Sequence, residues 1–411
     1  MTSLLYYAAR DPSRCNQCGS CEQLLPCPCL RKGDTNDCIG CGACILTCPN
    51  EAVSPVESPR TDEIPLTVNG EHLTVPDRIT VQTALELSGY HFKHFLAGGT
   101  LFAPCGVGGC WSCAVEIDGT LQPSCITPVR SGMVIRTTPA EPHPLRRRVH
   151  GWSGHGVGGV GTPWQVKGIR PFIEVAAFAC GCNLRCPQCQ NWTSTYNGME
   201  SLHTPKEAAI LMTGARRRFG VDRMAISGGE STLNRPWLLA FLRHLKALNP
   251  DRAARLHVDT NATLLTEDYI DALVEVGMTD IGPDLKGLSV DTFQRITGVR
   301  DGELAEWYHR TSWNAVRYLV KKYRDTIFTG IGIPYNRALI SNEEIASIGE
   351  TIERIDPTLQ VSVLDYRPAF RARHLQRPSR ADMALIKEIL EGTGLTTVIC
   401  QTESGYLGPG R

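Results

Sequence analysis

The sequence predicts an α/β fold whose C-terminal part is built on a parallel sheet and is preceded by two small cysteine-rich modules. From Pro171 onward, short apolar runs alternate with helical patterns, as in FIEVAAFA, TPKEAAILMTGARRRFG and RMAIS. Such alternation is typical of a parallel sheet with helical crossovers. The chain has 411 residues and 18 cysteines. Apart from Cys400, these cysteines are concentrated in three short stretches, and only the last stretch lies in the α/β part.

Charge and hydropathy argue against several classes of function. The 42 basic and 42 acidic residues cancel, so no overall field favours nucleic acid as a partner. The apolar runs are shorter than the roughly 18 residues that span a bilayer, and the N-terminus MTSLLYYAARDPSRC lacks the basic and apolar regions of a signal peptide. We therefore expect a cytoplasmic protein without a membrane partner, whose cysteines bind metal in a reducing compartment.

Composition divides the chain into four predicted parts, at residues 1–60, 61–140, 141–168 and 169–411. The first has little apolar material between its cysteines, so its folding is expected to depend on what the thiolates bind. In the second, LTVNGEHLTV and ITVQTALELSG predict a small sheet with one helix. The third contains SGHGVGGVGTPW and is interpreted as a glycine-rich linker.

The first stretch of cysteines has the spacing of a bacterial ferredoxin that binds two 4Fe-4S clusters. One run reads C-x2-C-x2-C-x3-C-P, and an upstream run repeats its first three cysteines and ends in Cys27-Pro28. In two-cluster ferredoxins the fourth cysteine of each run ligates the other cluster. The expected ligand sets are Cys15, Cys18, Cys21 and Cys48 for one cluster, and Cys27, Cys38, Cys41 and Cys44 for the other. Cys29 competes with Cys27, and zinc knuckles are the alternative to clusters.

The second stretch predicts a 2Fe-2S site. Cys105, Cys110 and Cys113 form C-x4-C-x2-C, and Cys125 follows on a predicted hairpin. The intervening glycines allow backbone amides to approach the inorganic sulfides, which a Cβ atom would obstruct. Residues 64–138 resemble the β-grasp 2Fe-2S domain of iron-only hydrogenases and of the electron-input subunit of complex I. Zinc is again the alternative.

The third stretch begins at Cys180, and its other cysteines, Cys182, Cys186 and Cys189, form C-x3-C-x2-C directly after an apolar strand. Three thiolates leave one iron of a 4Fe-4S cluster open to a substrate, because a purely electron-transferring cluster fills all four sites. This loop resembles the radical S-adenosylmethionine (SAM) superfamily. The resemblance extends to four motifs that end apolar runs, where parallel barrels carry functional residues: Ser227-Gly228-Gly229-Glu230, Asp259-Thr260-Asn261, Asp284-Leu285-Lys286 and Ile331-Gly332-Ile333-Pro334.

The DTN and DLK motifs resemble the pyruvate formate-lyase activating enzyme branch of that superfamily. The resemblance implies a partial (β/α)6 barrel in which the GGE backbone contacts the methionine amino group of SAM. It also implies that Asp259 and Asp284 lie around the SAM carboxylate with a monovalent cation, and that Lys286 contacts SAM. Arg367 stands where the activating enzymes carry a histidine, which weakens transfer of the activating role.

The expected function is reductive cleavage of SAM to a 5'-deoxyadenosyl radical, with electrons relayed by the chain's own ferredoxin modules. The cofactors are then three 4Fe-4S clusters, one 2Fe-2S cluster and SAM. Expected partners are a low-potential donor such as flavodoxin or ferredoxin and a protein substrate such as a glycyl-radical enzyme. Alternatives are a small-molecule, peptide or RNA substrate, and an electron-transfer subunit without SAM chemistry, which would require a fourth ligand for the last motif. The direction of electron flow is open, and Cys180 and Cys400 are interpreted as spare buried thiols or radical-quenching groups.

Overall fold

The computed structural model describes residues 5–27, 29–30, 35–93, 101–167 and 171–409. The chain divides into two compact units. Unit 1 comprises Met1–Val149, Ala179–Asn183 and Trp192–Thr204, and unit 2 comprises His150–Phe178, Leu184–Asn191 and Pro205–Arg411.

The secondary structure alternates strands and helices most regularly in unit 2. The strands are β1 Tyr6–Arg10, β2 Val53–Glu57, β3 Glu63–Val68, β4 Glu71–Pro76, β5 Phe92–Lys93, β6 Leu101–Phe102, β7 Ala114–Ile117, β8 Thr120–Pro123, β9 Val134–Arg136, β10 Arg147–His155, β11 Glu174–Ala179, β12 Leu202–His203, β13 Arg223–Gly228, β14 Arg255–Thr260, β15 Asp280–Pro283, β16 Phe328–Tyr335, β17 Gln360–Asp365, β18 Thr397–Thr402 and β19 Gly405–Leu407. The helices are α1 Ser20–Leu24, α2 Ala43–Thr47, α3 Val81–Leu87, α4 Trp192–Thr195, α5 Pro205–Phe219, α6 Arg235–Leu248, α7 Glu267–Glu275, α8 Val290–Thr297, α9 Gly302–Tyr323, α10 Asn342–Ile355 and α11 Arg380–Gly392.

In unit 1, the first stretch of cysteines lies between two antiparallel strands, β1 and β2, which pair from Tyr6 with Glu57 to Arg10 with Val53. The short helices α1 and α2 both begin at glycines with positive φ, Gly19 and Gly42. A Cβ atom on Gly42 would lie 2.6 Å from the Tyr6 hydroxyl. Backbone conformations and contacts that only glycine tolerates therefore position the helix that carries Cys44.

The predicted small sheet of residues 61–140 has five strands in the order β4-β3-β9-β7-β8, with the single helix α3. Strands β3 and β9 are parallel, and the other strand pairs are antiparallel. Apolar side chains of the sheet and of α3 form one buried cluster that includes Leu66, Val81, Leu85, Val115 and Ile135. This module thus has its own hydrophobic core.

Unit 2 is built on a sheet in the order β11-β13-β14-β15-β16-β17-β18-β19. The pairs from β13 to β18 are parallel and the last pair is antiparallel. Helices connect the successive parallel strands, as the alternating pattern predicts. Trp237, Phe241 and Leu245 of α6 are buried as the apolar face of that helix, whereas Leu248, predicted on the same face, is 40% exposed at the end of the helix.

The stretch predicted to be a linker, residues 141–168, contains the nine-residue strand β10, and its glycines between residues 151 and 161 pack within unit 2. We call residues 156–162 the glycine segment. Its backbone is bound by side chains from the first residues of three strands: Glu174 accepts from Gly159 N at 2.9 Å, Arg223 donates to Gly161 O at 3.0 Å, and Gln360 donates to Thr162 O at 2.8 Å. These hydrogen bonds to buried groups fix the glycine segment against the sheet.

Close approach explains the composition of the glycine segment. A Cβ atom on Gly161 would lie 2.5 Å from the carbonyl group of Ile281 in β15, and one on Gly159 would clash with the Asp259 carboxylate. The facing strands also use glycine, since a Cβ on Gly282 would lie 2.6 Å from Gly161 N and one on Gly330 would lie 2.5 Å from Val160 O. Glycines on both sides therefore let two backbones meet directly.

Among the helices of the described ranges, none combines the length and the apolar character that crossing a bilayer requires.

Candidate functional site

The cysteines of the second ferredoxin-like run converge in unit 1. Cys38, Cys44 and Cys48 are buried, and the backbone amides of Ala8 and Ala52 donate to the sulfurs of Cys38 and Cys48 at 3.4 and 3.3 Å. Burial raises the pKa of Cys41 to about 11, with a further contribution from the charges of Cys27 and Cys38. Buried thiolates with backbone N–H donors are the donor set that an iron–sulfur cluster requires.

The exchange of fourth cysteines between the two runs stays a prediction, and the charges around Cys44 and Cys21 come from both runs. The pKa of Cys44 is raised by burial and then by the charges of Cys41, Cys27, Cys38 and Cys21, so cysteines of both runs lie around it. The pKa of Cys21 is raised mainly by burial, and Cys48 is among the charges that raise it further. Cys48 therefore lies near the first run.

Cys29 lies beside Cys27. Its pKa is raised to about 12 by burial and by the charge of Cys27, to which its side chain is also hydrogen-bonded. The charge of Cys38 also acts on Cys29, and the charge of Cys27 acts on Cys41 and Cys44. Both cysteines thus lie near the second run, and Cys27 as the ligand stays a prediction.

The four cysteines of the 2Fe-2S motif, Cys105, Cys110, Cys113 and Cys125, are all buried. The side chains of Cys110 and Cys125 and the backbone N–H groups of Cys110 and Val107 hydrogen-bond to the Cys105 sulfur and lower the pKa of Cys105. The sulfurs of Cys113 and Cys125 also hydrogen-bond to each other. Four converging thiols with backbone donors fit a 2Fe-2S cluster.

The loop around this motif has no room for side chains at its glycines. Gly106 and Gly108 have φ values of +69° and +71°; a Cβ on Gly106 would lie 3.0 Å from Leu46 Cδ1, and one on Gly108 would clash with Ile126. Within the described residues, no group of three or more His, Cys, Asp or Glu side chains has the close spacing that a single metal ion needs. A cluster spaces its thiolates more widely, because several iron and sulfide atoms lie between them.

The C-x3-C-x2-C loop follows β11, and the division between the units falls within it, after Asn183. In unit 1, Cys182 is buried and its sulfur lies 3.9 Å from Asn183 Oδ1. In unit 2, Cys186 and Cys189 flank a turn in which Cys189 N donates to Cys186 O at 3.2 Å. Burial raises the pKa of Cys186 to about 12, and Lys286 opposes this increase.

Hydrogen bonds hold the unit 2 part of this loop against helix α8 and the end of β13. Gln188 Nε2 donates to Ile296 O at 2.8 Å, and Asn191 Nδ2 donates to Gly228 O at 3.2 Å. Gly228 has φ of +115°, a conformation that favours glycine. The loop is thereby joined to the SGGE motif, in which Ser227, Gly228 and Gly229 are half-buried.

Glu230, the last residue of that motif, is a fully buried acceptor. Its Oε1 accepts from Thr232 N at 2.9 Å, from Thr232 Oγ1 at 2.6 Å and from Thr260 Oγ1 at 2.6 Å, while Oε2 accepts from Asn261 N at 2.7 Å. The DTN motif is thus bound to the SGGE motif through this carboxylate. Glu230 orders the ends of β13 and β14 with four hydrogen bonds.

The DLK motif forms a buried group with an aromatic residue that the sequence analysis missed. Lys286 Nζ is paired with Asp284 Oδ2 and donates to Tyr366 Oη at 2.8 Å. Burial alone would lower the pKa of Lys286, but Asp284, Tyr366 and Cys186 raise it well above its ordinary value. The ammonium group therefore stays protonated beside the unit 2 cysteines.

Two predicted site residues, Arg367 and Asp259, do not contact Lys286 in the way that Asp284 and Tyr366 do. Arg367 is exposed, and the residue after β17 that contacts Lys286 is its neighbour Tyr366. Asp259 lies 3.1 Å from His257 Nε2 and beside the glycine segment. His257 is fully buried between Asp259 and Glu174. The sequence signal for Tyr366 was its position directly after a buried strand.

Comparison with known proteins matches three families. Residues 177–340 match the radical SAM superfamily, residues 61–140 a 2Fe-2S iron-sulfur cluster binding domain, and residues 32–54 a 4Fe-4S binding domain. The chain is similar to a probable GTP 3',8-cyclase of Saccharolobus solfataricus, with 36% identity over 94 residues, which is 23% of this chain and 29% of that protein.

It is also similar to an Fe-coproporphyrin III synthase of Methanosarcina barkeri, with 29% identity over 127 residues, covering 30% of each protein. The chain thus spans less than a third of the length of these relatives. A crystal structure of Streptococcus suis SuiB bound to S-adenosylmethionine aligns with 51% of this chain and 44% of that one, at 18% identity and a TM-score of 0.39.

These relatives do not support the pyruvate formate-lyase activating enzyme branch that the DTN and DLK motifs predict. The broader prediction of radical SAM, 2Fe-2S and 4Fe-4S domains is confirmed, because the second and third cysteine stretches and the run from Cys38 to Cys48 fall within matching family regions. The upstream run from Cys15 to Cys29 lies outside the matched residues 32–54. The chain therefore carries a radical SAM domain together with 2Fe-2S and 4Fe-4S cluster-binding domains.

Proposed function

We propose that this protein is a radical SAM enzyme that cleaves SAM reductively with electrons relayed by its own ferredoxin modules. The observation that carries the proposal is in unit 2, where Cys186 and Cys189 lie on a loop bonded to the SGGE motif and near Lys286 and Asp284. Cys182, Cys186 and Cys189 would hold a 4Fe-4S cluster with one open iron. When bound, this cluster supplies the electron that breaks a carbon–sulfur bond of SAM to give methionine and a 5'-deoxyadenosyl radical.

The residues around the cysteines have distinct roles in this proposal. Glu230 holds the ends of β13 and β14 in one arrangement, which leaves the Gly228-Gly229 backbone to bind the methionine part of SAM. Lys286 stays protonated and offers a buried positive charge to the SAM carboxylate. Tyr366 and Asp284 orient that ammonium group. Asp259, together with a monovalent cation, would also lie near the SAM carboxylate.

For the substrate, we place a small molecule ahead of a glycyl-radical enzyme. The named activities of the two relatives, a GTP cyclase and an Fe-coproporphyrin III synthase, both concern small molecules. The second candidate, activation of a glycyl-radical enzyme, rests on the DTN and DLK motifs alone. A glycyl radical signal in a candidate protein partner, formed only with SAM and this enzyme, would favour the second candidate.

The proposal is tested by SAM cleavage. Anaerobically reconstituted protein with dithionite is expected to form 5'-deoxyadenosine from SAM, and Cys182→Ala is expected to abolish this product while the 2Fe-2S spectrum persists. Cys400→Ala is the matched control, because Cys400 is a buried cysteine of β18 outside the three cysteine stretches. Undiminished product with Cys182→Ala would overturn the proposal.

The relay is tested separately with Cys105→Ala. This variant is expected to cleave SAM with dithionite, which reaches the clusters directly, and to lose cleavage when reduced flavodoxin or ferredoxin is the donor. Normal cleavage by Cys105→Ala with the protein donor would contradict the relay and leave the SAM chemistry intact.

A further inference from the structure

We propose that the 2Fe-2S site is the immediate electron partner of the C-x3-C-x2-C site, and that the backbone contact between Gly109 and Gly181 is the junction between them. This inference rests on the proposed function and assigns the order of its electron carriers. Both glycines belong to unit 1. Gly109 directly precedes the ligand Cys110, and Gly181 directly precedes the ligand Cys182.

The two backbones touch without any intervening side chain. A Cβ atom on Gly109 would lie 2.9 Å from Gly181 N and 3.0 Å from Cys180 C. A Cβ atom on Gly181 would lie 2.9 Å from Cys105 Cβ and 3.0 Å from Cys110 N. Since real Cβ atoms are not found this close to backbone, any larger residue would force the two segments apart. The 2Fe-2S motif and the C-x3-C-x2-C motif are distant in sequence, but they therefore approach each other at the residues that precede the ligands Cys110 and Cys182.

Hydrogen bonds hold this junction in register. Arg148 N donates to Gly109 O at 3.2 Å, and Cys180 N donates to Arg148 O at 3.0 Å, so one residue of β10 binds both segments. On the other side, Gly181 N donates to Thr195 O at 3.1 Å. Both glycines are buried, so water does not separate the two backbones. The contact is a fixed part of unit 1.

The other side of the 2Fe-2S loop faces a 4Fe-4S run. A Cβ atom on Gly106 would lie 3.0 Å from Leu46 Cδ1, and Leu46 belongs to α2, the helix that carries Cys44. The 2Fe-2S loop therefore contacts a 4Fe-4S motif at Gly106 and the C-x3-C-x2-C segment at Gly109. This placement orders the carriers as 4Fe-4S, then 2Fe-2S, then the SAM-binding cluster.

Each transfer in this order moves one electron and no atoms. With the clusters bound, a low-potential one-electron donor would reduce one centre of the 4Fe-4S pair. That electron would pass to the 2Fe-2S centre, which would be reoxidised as it reduces the SAM-binding cluster by one electron. No covalent bond of the protein changes during electron transfer, so the only role of the junction is to keep the two centres close. Gly109 and Gly181 are thus positioning residues.

The test uses electron paramagnetic resonance of the full, reconstituted chain. A paramagnetic neighbour speeds the relaxation of a nearby spin, so the 2Fe-2S signal is expected to saturate at higher microwave power once the SAM-binding cluster is reduced. In a variant with Cys182, Cys186 and Cys189 all changed to alanine, this fast-relaxing component is expected to be lost. The two ferredoxin-type 4Fe-4S clusters are present in both proteins, so the difference isolates the third.

The junction would be overturned if the 2Fe-2S signal relaxed equally fast in the two proteins although the unaltered chain contained the SAM-binding cluster, by iron content, and cleaved SAM. The proposed function would stand in that case. Failure of the unaltered chain to cleave SAM would instead contradict the proposed function. Gly109→Ala is expected to slow reduction of the SAM-binding cluster severalfold after rapid mixing with reduced donor. Gly214→Ala is the control, because Gly214 lies within α5 with open space around it and without a positive φ. An unchanged rate in Gly109→Ala would count against the junction.

Discussion

Lys286 Nζ donates a hydrogen bond of 2.8 Å to the phenol oxygen of Tyr366, and this contact joins the segments that follow β15 and β17. The same ammonium group lies 5.4 Å from the centre of the Tyr366 ring. Because both side chains are buried, the phenol replaces water as a partner of the charge. Tyr366 therefore controls where the charge of Lys286 is held.

Removal of the phenol oxygen in Tyr366→Phe is expected to lower kcat/KM for SAM cleavage by about 10- to 100-fold, because a hydrogen bond to a charged group is worth about 1.5–3 kcal/mol. Arg367→Gln, at the exposed neighbouring position, is expected to stay within about twofold, since exposed charges contribute little. The measurement is 5'-deoxyadenosine formation over a range of SAM concentrations. If Arg367→Gln lowered kcat/KM more than Tyr366→Phe, Arg367 and not Tyr366 would be the residue after β17 that contributes to SAM cleavage.

Glu230→Gln is expected to destabilise the protein by about 3 kcal/mol, because an amide nitrogen replaces one acceptor oxygen in a buried group that binds only donors. The measurement is the urea midpoint of unfolding followed by circular dichroism. Glu275→Gln is the matched control, since Glu275 is exposed near the end of α7. A similar midpoint for both variants would show that the carboxylate does not hold the strand ends together.

Two glycine-to-alanine changes, one in the glycine segment and one in helix α5, are expected to have opposite effects on stability. Gly161→Ala is expected to cost about 1–3 kcal/mol, because the new methyl group meets the Ile281 carbonyl and the backbone must move. Gly214→Ala is expected to stabilise by about 0.5–1 kcal/mol, because Gly214 lies within α5 with open space around it. Thermal unfolding of the two variants measures the difference. A Gly161→Ala protein as stable as the parent would mean that residues 156–162 are a free linker.

The features that sequence predicted and those it missed differ in how far apart the interacting residues lie. Cysteine spacing within each run is local, so the ligand sets around Cys44 and Cys110 can be predicted from the sequence alone. The glycine segment was interpreted as a linker because its packing depends on Gly282 and Gly330, more than a hundred residues away. Tyr366 was missed for a similar reason, since only the position of β17 beside β16 directs that ring toward Lys286.

The buried imidazole of His257 makes the free energy of unfolding depend on pH. Burial alone would lower the pKa of His257, but Asp259 and Glu174 raise it from 6.5 to about 9. The folded state therefore binds a proton more tightly than the unfolded state, so this contribution is complete below pH 6.5 and is lost as the pH rises through 9. Arg223 and Lys167 are the positive groups nearby, and burial lowers the pKa of Lys167 to about 8, with Glu174 and Asp259 opposing.

Lys167 acts with the opposite sign, because its folded state releases a proton more readily, and stability from this group rises between about pH 8 and 10.5. The interval from pH 6.5 to 8 lies below the range of Lys167, and the contribution of His257 to the free energy of unfolding is expected to fall by about 2 kcal/mol across it. Urea titrations at several pH values measure the slope. His257→Gln is expected to flatten this slope, whereas His72→Gln, at an exposed position, is expected to preserve it. A slope that survives in His257→Gln would assign the pH dependence to another group.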